Sequence, residues 1–179
     1  LERKLNNELS DSAQHIEDMS PNLEFSEIVE KNSLEAILLS EFESDSKISI
    51  LIEDIYNLVN HFCNLFNTEK VWLRLDAVNK PMCPNFHTDD VKCRMVTTYV
   101  GPGTQWIPQN LVNKNINESD IMELNTGDIA LLKGEGWDGN EGNGLVHRSP
   151  HKKIKYDRLY MTIDFIEFYN KIFQNRLIT

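Results

Sequence analysis

Three side chains in the second half of the sequence have the types and spacing of a metal site. His87 and Asp89 stand two positions apart in PNFHTDD, and residues i and i+2 of an extended segment point to the same side. His147 follows an apolar run in GLVHRSP. Two histidines and one carboxylate form a facial triad that binds non-haem Fe(II) and leaves positions open for dioxygen and a bidentate co-substrate. We therefore expect His87, Asp89 and His147 to be metal ligands and catalytic residues.

The same residues also have ordinary structural interpretations. With 28 acidic residues in 179, about one of the five histidines should have an acid two positions later by chance. His15-Ile16-Glu17 is such a match. If the spacing of His87 and Asp89 is also accidental, His87 is a turn residue and His147 is a core histidine with its hydrogen bonds satisfied inside the protein. A structural interaction domain, in which the three side chains are scattered, is thus a third hypothesis.

The cysteines offer a competing metal site. Cys83, Cys93, His87 and His147 would form a tetrahedral Cys₂His₂ set, and softer ligands favour zinc over Fe(II). Their spacing is neither that of a zinc finger nor that of a ribbon, and this set leaves Asp89 without a role. Zinc or another divalent metal in place of Fe(II), with or without Cys83 and Cys93, therefore stays open.

Arg158, eleven residues after His147, is a candidate anion-binding residue. It begins the alternating run RLYMTIDF, in which Arg158, Tyr160 and Thr162 share one face. An inward-facing arginine needs a negatively charged partner, and a dicarboxylate bound to the metal would offer its far carboxylate. The alternative is an ion pair with Asp157, Asp164 or a helix carboxylate.

Further residues are predicted around the pocket. Arg94 would orient Asp89 or hold a second anion. The segment from Lys133 to Trp137, followed by three more glycines, is placed like an active-site lid, whereas Gly101-Pro102-Gly103 is interpreted as a tight turn. The candidate pocket walls are Thr98, Tyr99, Trp106, Trp137, Tyr160 and Thr162.

The elements that position these residues change character along the chain. Apolar residues at three- and four-residue intervals predict a helix over 48–66, and weaker patterns favour helices over 1–19 and 24–31. Residues 34–39 fit a short strand or a helix end. The predicted strands cover 71–78, 91–100, 129–132, 144–147 and 159–165, and helical spacing returns after 165. We expect an α+β single domain over 1–179: a mainly helical part (1–66), a β sandwich or barrel (67–165) and a closing helix (166–179).

Composition excludes several classes of protein. The chain has 40% hydrophobic and 26% charged residues and no apolar run near the ~20 residues of a membrane span. A net charge of −10 has the wrong sign for neutralising a phosphate backbone, so nucleic acid is not expected as the main partner. Three cysteines without framework spacing, and no signal-like segment, favour a cytoplasmic protein.

The order of the motifs resembles the Fe(II)/2-oxoglutarate-dependent oxygenase superfamily. The sequence has HxD, a long gap, Gly127-Asp128 before an apolar strand, HRS, and an arginine eleven residues after the second histidine. The resemblance covers about residues 70–165. It implies a double-stranded β-helix (jelly roll, cupin-like), with His87, Asp89 and His147 on Fe(II), and 2-oxoglutarate bound by Arg158 together with Tyr99 and Thr162.

A second resemblance is denser but implies less chemistry. The strings FHTD, TYVGPGTQW, ALLKGEGWDGNEGNGLVHRSP and RLYMTIDF are similar to an uncharacterised bacterial family of unknown function. That family carries no established activity. The resemblance implies genes located near zinc-homeostasis genes in some bacteria, which connects the fold to metal supply by association rather than by mechanism. Two main hypotheses follow: an Fe(II)- and 2-oxoglutarate-dependent oxygenase, or a non-catalytic metal-binding jelly roll that carries or senses zinc or iron.

Overall fold

The chain folds into antiparallel sheets covered on one side by helices. The computed structural model describes residues 1–42, 46–112, 114–151 and 156–169. In chain order the elements are α1 (Asn7–Met19), β1 (Glu24–Glu30), α2 (Leu34–Glu41), α3 (Ser49–Phe66), β2 (Lys70–Val78), β3 (Cys93–Val100), β4 (Gln105–Trp106), β5 (Met122–Glu123), β6 (Ile129–Lys133), β7 (His147–Arg148) and β8 (Arg158–Phe165). Within those ranges, no helix combines the length and the apolar character that crossing a membrane requires.

Helix α3 confirms the helix predicted over 48–66. Its buried residues recur at the three- and four-residue spacing of one helix face, and the helix ends at Asn67, whose left-handed backbone (φ 50°) forms the C-cap. Helix α1 is shorter than predicted because it begins at Asn7, where the side chain of Asn6 accepts a hydrogen bond from the Leu9 amide. The α3 residues that reach the core are Leu51, Ile52, Ile55, Leu58, Val59, Phe62 and Cys63.

The helix predicted over 24–31 is wrong, since this segment forms strand β1. Phe25 and Val29 are its buried residues, and a separation of four places two side chains on one face in a helix and in a strand alike. Pairing decides the outcome: β1 runs antiparallel to β2 along its whole length, from Glu24 opposite Asp76 to Glu30 opposite Lys70. For residues 34–39 the helical alternative is correct, as α2 shows.

Two antiparallel sheets carry the second half of the chain. The larger sheet has the strand order β1-β2-β8-β3-β6, and the smaller sheet has the order β5-β4-β7. His87 forms an isolated bridge with His147 at the edge of the smaller sheet. The predicted strands at 71–78, 91–100, 129–132 and 159–165 correspond to β2, β3, β6 and β8, whereas only His147 of the run 144–147 is in a strand. The protein is therefore a mixed α+β fold, as expected.

The larger sheet has one apolar and one polar face. Leu73, Leu75, Met161 and Ile163 are fully buried in a core shared with the helices. On the opposite face, β8 presents Arg158, Tyr160, Thr162 and Asp164, because alternate residues of a strand point to opposite sides. Of the predicted closing helix, 166–169 are helical and 170–179 lie outside the described residues.

Candidate metal centre

The structure brings His87, Asp89 and His147 together. Each of these described residues offers one ligand atom, and the three atoms lie within 4.8 Å of one another. Nε2 of His87 is 3.8 Å from Oδ1 of Asp89, and Nε2 of His147 is 3.4 Å from Oδ2. The scattered arrangement considered above is therefore not what the chain adopts.

Backbone pairing holds the two imidazoles side by side. The amide of His87 donates to the carbonyl of His147 at 3.0 Å, and the amide of His147 donates back at 2.9 Å. This reciprocal pair places the ring centroids 4.6 Å apart. Two residues distant in sequence thus present their side chains to the same point without relying on side-chain packing alone.

The second nitrogen of each imidazole fixes its tautomer. Nδ1 of His87 donates to the carbonyl of Asn85, and Nδ1 of His147 donates to the carbonyl of Leu145, both at 3.0 Å. With Nδ1 as the donor, the neutral form of each ring has its Nε2 lone pair directed toward the Asp89 carboxylate. Lone pairs facing an anion repel it unless a cation or a proton lies between them. The donor set therefore fits a divalent metal ion, because metal-bound histidines usually anchor the other ring nitrogen in this way.

Arg94 connects Asp89 to a buried cluster that contains Asp164 and Arg74. Nη1 of Arg94 donates to Oδ2 of Asp89 at 2.7 Å, and its Nε donates to Asp164 at 2.9 Å. Asp164 is fully buried and also accepts from Arg74 at 3.1 Å. Burial acts to raise the pKa of Asp89, but the adjacent His147 imidazole and the charge of Arg94 outweigh burial and lower this pKa to about 2. Asp89 is thus ionised at neutral pH.

The KGEG segment holds the irregular segment that carries Asp89 in place. The amides of Glu135 and Gly136 donate to the carbonyls of Asp89 and Val91 at 2.8 and 3.1 Å, and Oε1 of Glu135 accepts from the Thr88 hydroxyl at 2.7 Å. A Cβ on Gly134 would clash with the carbonyl of Val91, so only glycine permits this approach. This loop was expected to be an active-site lid. Its first part instead forms backbone hydrogen bonds to the residues around Asp89.

Arg158 is buried and surrounded by neutral acceptors. Its Nε donates to the carbonyl of Pro102 at 3.0 Å, and its Nη2 donates to the hydroxyls of Thr98 and Thr104 at 3.2 and 3.1 Å. Only 3% of this side chain is exposed, and it forms no ion pair with a carboxylate in the described part of the chain. Burial therefore lowers the pKa of this guanidinium.

The GPGT segment is more than the plain turn expected from its sequence. A Cβ on Gly101, which has φ 81°, would clash with the carbonyl of Asp157, and one on Gly103 would clash with that of Leu124. The two glycines let the segment lie against the start of β8, where Pro102 and Thr104 contact Arg158.

A cavity of about 110 Å³ lies beside the three candidate ligands. His147 and Arg158 both line it, so metal site and buried guanidinium share one space. Thr162 also faces the cavity, and its buried hydroxyl has no hydrogen-bond partner among the described residues. The remaining lining residues are Arg74, Met82, Cys83, His87, Arg94, Val96, Thr104, Leu132, Arg148, Ser149 and Tyr160.

The structure separates Tyr99 from the other two residues predicted to bind the co-substrate. The Tyr99 side chain is on the helical face of β3, where its hydroxyl donates to Oδ2 of Asp54 at 2.8 Å. Its neighbour Thr98 is on the cavity side and contacts Arg158. Tyr99 is therefore a core residue, and the expected role in binding 2-oxoglutarate is corrected.

The tryptophans and cysteines do not complete the site either. Trp106 lines a different groove, and Trp137 packs edge-on against Phe66. Neither cysteine belongs to the candidate metal group, although Cys83 lines the cavity. Cys93 is buried, which, with the nearby charge of Asp164, raises its pKa to about 11 and keeps the thiol protonated.

Sequence reasoning assigned no role to Arg74 and named Asp164 only as an alternative ion-pair partner of Arg158. Alternation along RLYMTIDF places Asp164 on the same face as Arg158, so this buried carboxylate could have been predicted on the cavity side. Nothing local indicates that Arg74 and Arg94 would share it, because their contact depends on the pairing of β2 and β3 with β8.

Comparison with solved structures gives distant matches. A crystallised protein from Neisseria meningitidis is 13% identical over 52% of this chain and 74% of its own, with a TM-score of 0.30. An RmlC-like cupin protein from Desulfovibrio desulfuricans is 8% identical over 52% of this chain and 71% of its own, with a TM-score of 0.29. Scores this low do not establish a shared fold. No curated protein matches the sequence.

A protein family, by contrast, matches nearly the whole chain. The family described as "Protein of unknown function (DUF1826)" matches residues 1–164, a range that includes α1, both sheets and the three candidate metal ligands. The match confirms the expected membership of a family of unknown function, and the chain belongs to the DUF1826 family.

Proposed function

We propose that this protein is an Fe(II)- and 2-oxoglutarate-dependent oxygenase in which His87, Asp89 and His147 hold the metal. One observation carries the proposal: the three ligand atoms lie within 4.8 Å of one another, beside a cavity that also contains a buried arginine without an ion-pair partner among the described residues. Two histidines and a carboxylate suit non-haem Fe(II), although zinc or another divalent ion is compatible with the same donors.

The charges around the cavity favour a doubly negative ligand. Four arginines line the cavity (Arg74, Arg94, Arg148 and Arg158), and three aspartates (Asp76, Asp89 and Asp164) lie beside these arginines. Their formal charges sum to +1, so a divalent ion would bring the total to +3 in a largely desolvated space. A dicarboxylate such as 2-oxoglutarate would compensate two of these positive charges, with its far carboxylate on the guanidinium of Arg158.

The order of the strands supports a double-stranded β-helix as the framework. From β2 onward the chain passes from the larger sheet to His87 beside the smaller sheet, and returns at β3. It continues through β4 and β5 of the smaller sheet, β6 of the larger, β7 of the smaller and β8 of the larger. Repeated alternation between two facing sheets is the expected course of a jelly roll.

In this scheme the residues of the chain orient ligands and exclude water. Arg94 keeps Asp89 ionised, the carbonyls of Asn85 and Leu145 orient the imidazoles, and Arg158 positions the co-substrate. Val96 and Leu132 provide an apolar wall. Bound Fe(II) would supply dioxygen activation coupled to oxidative decarboxylation of the co-substrate.

An anaerobic titration with Fe(II) and 2-oxoglutarate tests the proposal. We expect the weak visible charge-transfer band of a chelated complex in the wild-type protein. Arg158→Gln should abolish this band at the same 2-oxoglutarate concentration, while metal affinity, measured in the same samples, stays within about twofold. If the wild-type protein binds Fe(II) but never 2-oxoglutarate, the oxygenase proposal is wrong.

The size of the cavity favours a second candidate, a non-catalytic metal-binding protein that carries or senses zinc or iron. Its volume of about 110 Å³ is below the roughly 300–1,000 Å³ usual for ligand pockets. Such a space suits a metal with a small anion better than a metal with two organic molecules. Consumption of 2-oxoglutarate under air decides between the candidates: a carrier would bind metal stoichiometrically and show no turnover.

A further inference from the structure

A donor and a hydroxyl without partners belong to two cross-strand neighbours that line the cavity. Nε of Arg74 and Oγ1 of Thr162 are both buried, and neither has a hydrogen-bond partner among the described residues. The two residues are directly opposite each other in the pairing of β2 with β8, and both line the cavity. Cross-strand neighbours of this kind have Cβ atoms about 5 Å apart, so a single small group can reach both.

Buried polar atoms without partners are uncommon, because each loses its hydrogen bonds to water without replacement. Four such side-chain atoms occur in the part of the chain that the structure describes, and two of them belong to this one pair. The orientation of Arg74 is fixed independently: its guanidinium lies 4.4 Å above the ring of Trp72 and donates through Nη2 to Asp164. The free Nε is therefore held in place rather than left over by a mobile side chain.

The position along β8 separates this pair from Arg158. Thr162 comes two residues before Asp164, whose carboxylate holds Arg94 and through it Asp89. Arg158 is four residues away in the other direction, about 13 Å along the strand. Arg74 and Thr162 therefore lie nearer the metal end of the cavity, and Arg158 marks the far end.

We propose that Arg74 and Thr162 form a second anion subsite, which binds the carboxylate or similar oxyanion nearest the metal, so that the cavity holds a dicarboxylate at both ends. This inference rests on the proposed function and adds the near-end contact to it. It predicts that the two ends can be tested separately, because a monocarboxylate such as pyruvate would use the near subsite alone.

The experiment compares 2-oxoglutarate with pyruvate, by calorimetric titration of protein loaded with Mn(II) in the absence of oxygen. Thr162→Val keeps the shape and removes the hydroxyl, and should weaken binding of both anions by the same factor, roughly tenfold or more. Thr162→Ser should restore most of the affinity. Arg158→Gln should weaken the binding of 2-oxoglutarate alone, so that its affinity falls close to that of pyruvate. Thr97→Val is the matched control, since Thr97 carries another unpartnered buried hydroxyl but does not line the cavity.

The outcomes distinguish this subsite from the proposed function. Unchanged affinity for both anions in Thr162→Val overturns the subsite, whereas the Arg158→Gln result still decides the oxygenase proposal. If the wild-type protein binds neither 2-oxoglutarate nor pyruvate, inorganic phosphate and succinate are titrated next. If either anion binds, and Thr162→Val weakens that binding while Thr97→Val does not, the result supports the subsite without the oxygenase. Binding of no anion, or equal binding by both variants, overturns it.

Discussion

Arg94 determines how Asp89 meets a metal ion. Its guanidinium bridges Asp89 and the fully buried Asp164, so one side chain fixes the position of the candidate ligand and compensates two carboxylates. Replacing it by methionine should lower metal affinity roughly 10- to 100-fold, the usual effect of losing a contact that orients a ligand. The measurement is a competition titration with a fluorescent zinc chelator, at a temperature where circular dichroism shows the variant to be folded.

A purely structural role for Arg94 predicts a different pattern. Arg94→Met leaves buried charge uncompensated and should destabilise the fold by about 3–5 kcal/mol in any case. Arg94→Lys retains the charge and one donor, and should recover part of the metal affinity. If the folded Arg94→Met variant binds zinc as tightly as the wild-type protein, Arg94 does not position Asp89.

Single residues show what sequence spacing can and cannot predict about the site. His87, Asp89, His147 and Arg158 were identified because HxD and an alternating strand constrain side-chain direction locally. Tyr99 was misassigned although it follows the alternation of β3, in which Arg94, Val96 and Thr98 are on the cavity side. Alternation separates the two faces of a strand, but the packing of the sheet decides which face meets the cavity, and a local pattern does not specify that packing.

The loop between β6 and β7 supports the irregular segment that carries Asp89. Gly134→Ala would place a Cβ against the carbonyl of Val91 and 2.7 Å from that of Asp89, so the segment carrying the candidate ligand must shift. We expect metal affinity to fall roughly tenfold or more, comparable to the loss of a residue that orients a ligand. The readout is zinc affinity by the same competition titration.

Gly139→Ala is the control for this prediction. Gly139 has φ 77°, so alanine there is strained by about 1–2 kcal/mol, yet its Cβ would have no atom within 4 Å. It should lower the melting temperature without changing metal affinity. Equal metal affinity in the two variants would show that the loop does not hold the segment that carries Asp89.

Among the elements, those with long, repeated patterns were predicted and those settled by pairing were not. Helix α3 has seven buried residues in register with one helical face, which no strand would match. Strand β1 has only Phe25 and Val29, a spacing that fits both structures, and its fate is decided by β2. The short strands β4, β5 and β7 lack a periodic signal because two residues contain no period.

At the scale of the whole molecule, the two faces of the larger sheet have different roles: one packs against the helices, and the other faces the cavity. On the helical face, Arg3 forms a bidentate pair with Asp54, which also accepts the hydroxyl of Tyr99, so the N-terminal segment, α3 and β3 are joined. The cavity face carries the charged residues and the candidate ligands. Residues 1–60 contain fourteen acidic and four basic side chains, and the helices described within that range pack behind the sheet.

Because the candidate ligands lie on segments distant in sequence, metal binding should stabilise the fold as a unit. At a zinc concentration 100 times the dissociation constant, binding contributes about 2.7 kcal/mol, which for a domain of this length corresponds to a rise of roughly 5–10 °C in the melting temperature. Excess EDTA should reverse the rise. His87→Ala should remove it, whereas His61→Ala should retain it, since His61 is an exposed residue of α3 bonded to the carbonyl of Asn57. The same metal-dependent rise in His87→Ala, measured by differential scanning calorimetry, would mean that the stabilising ion binds elsewhere.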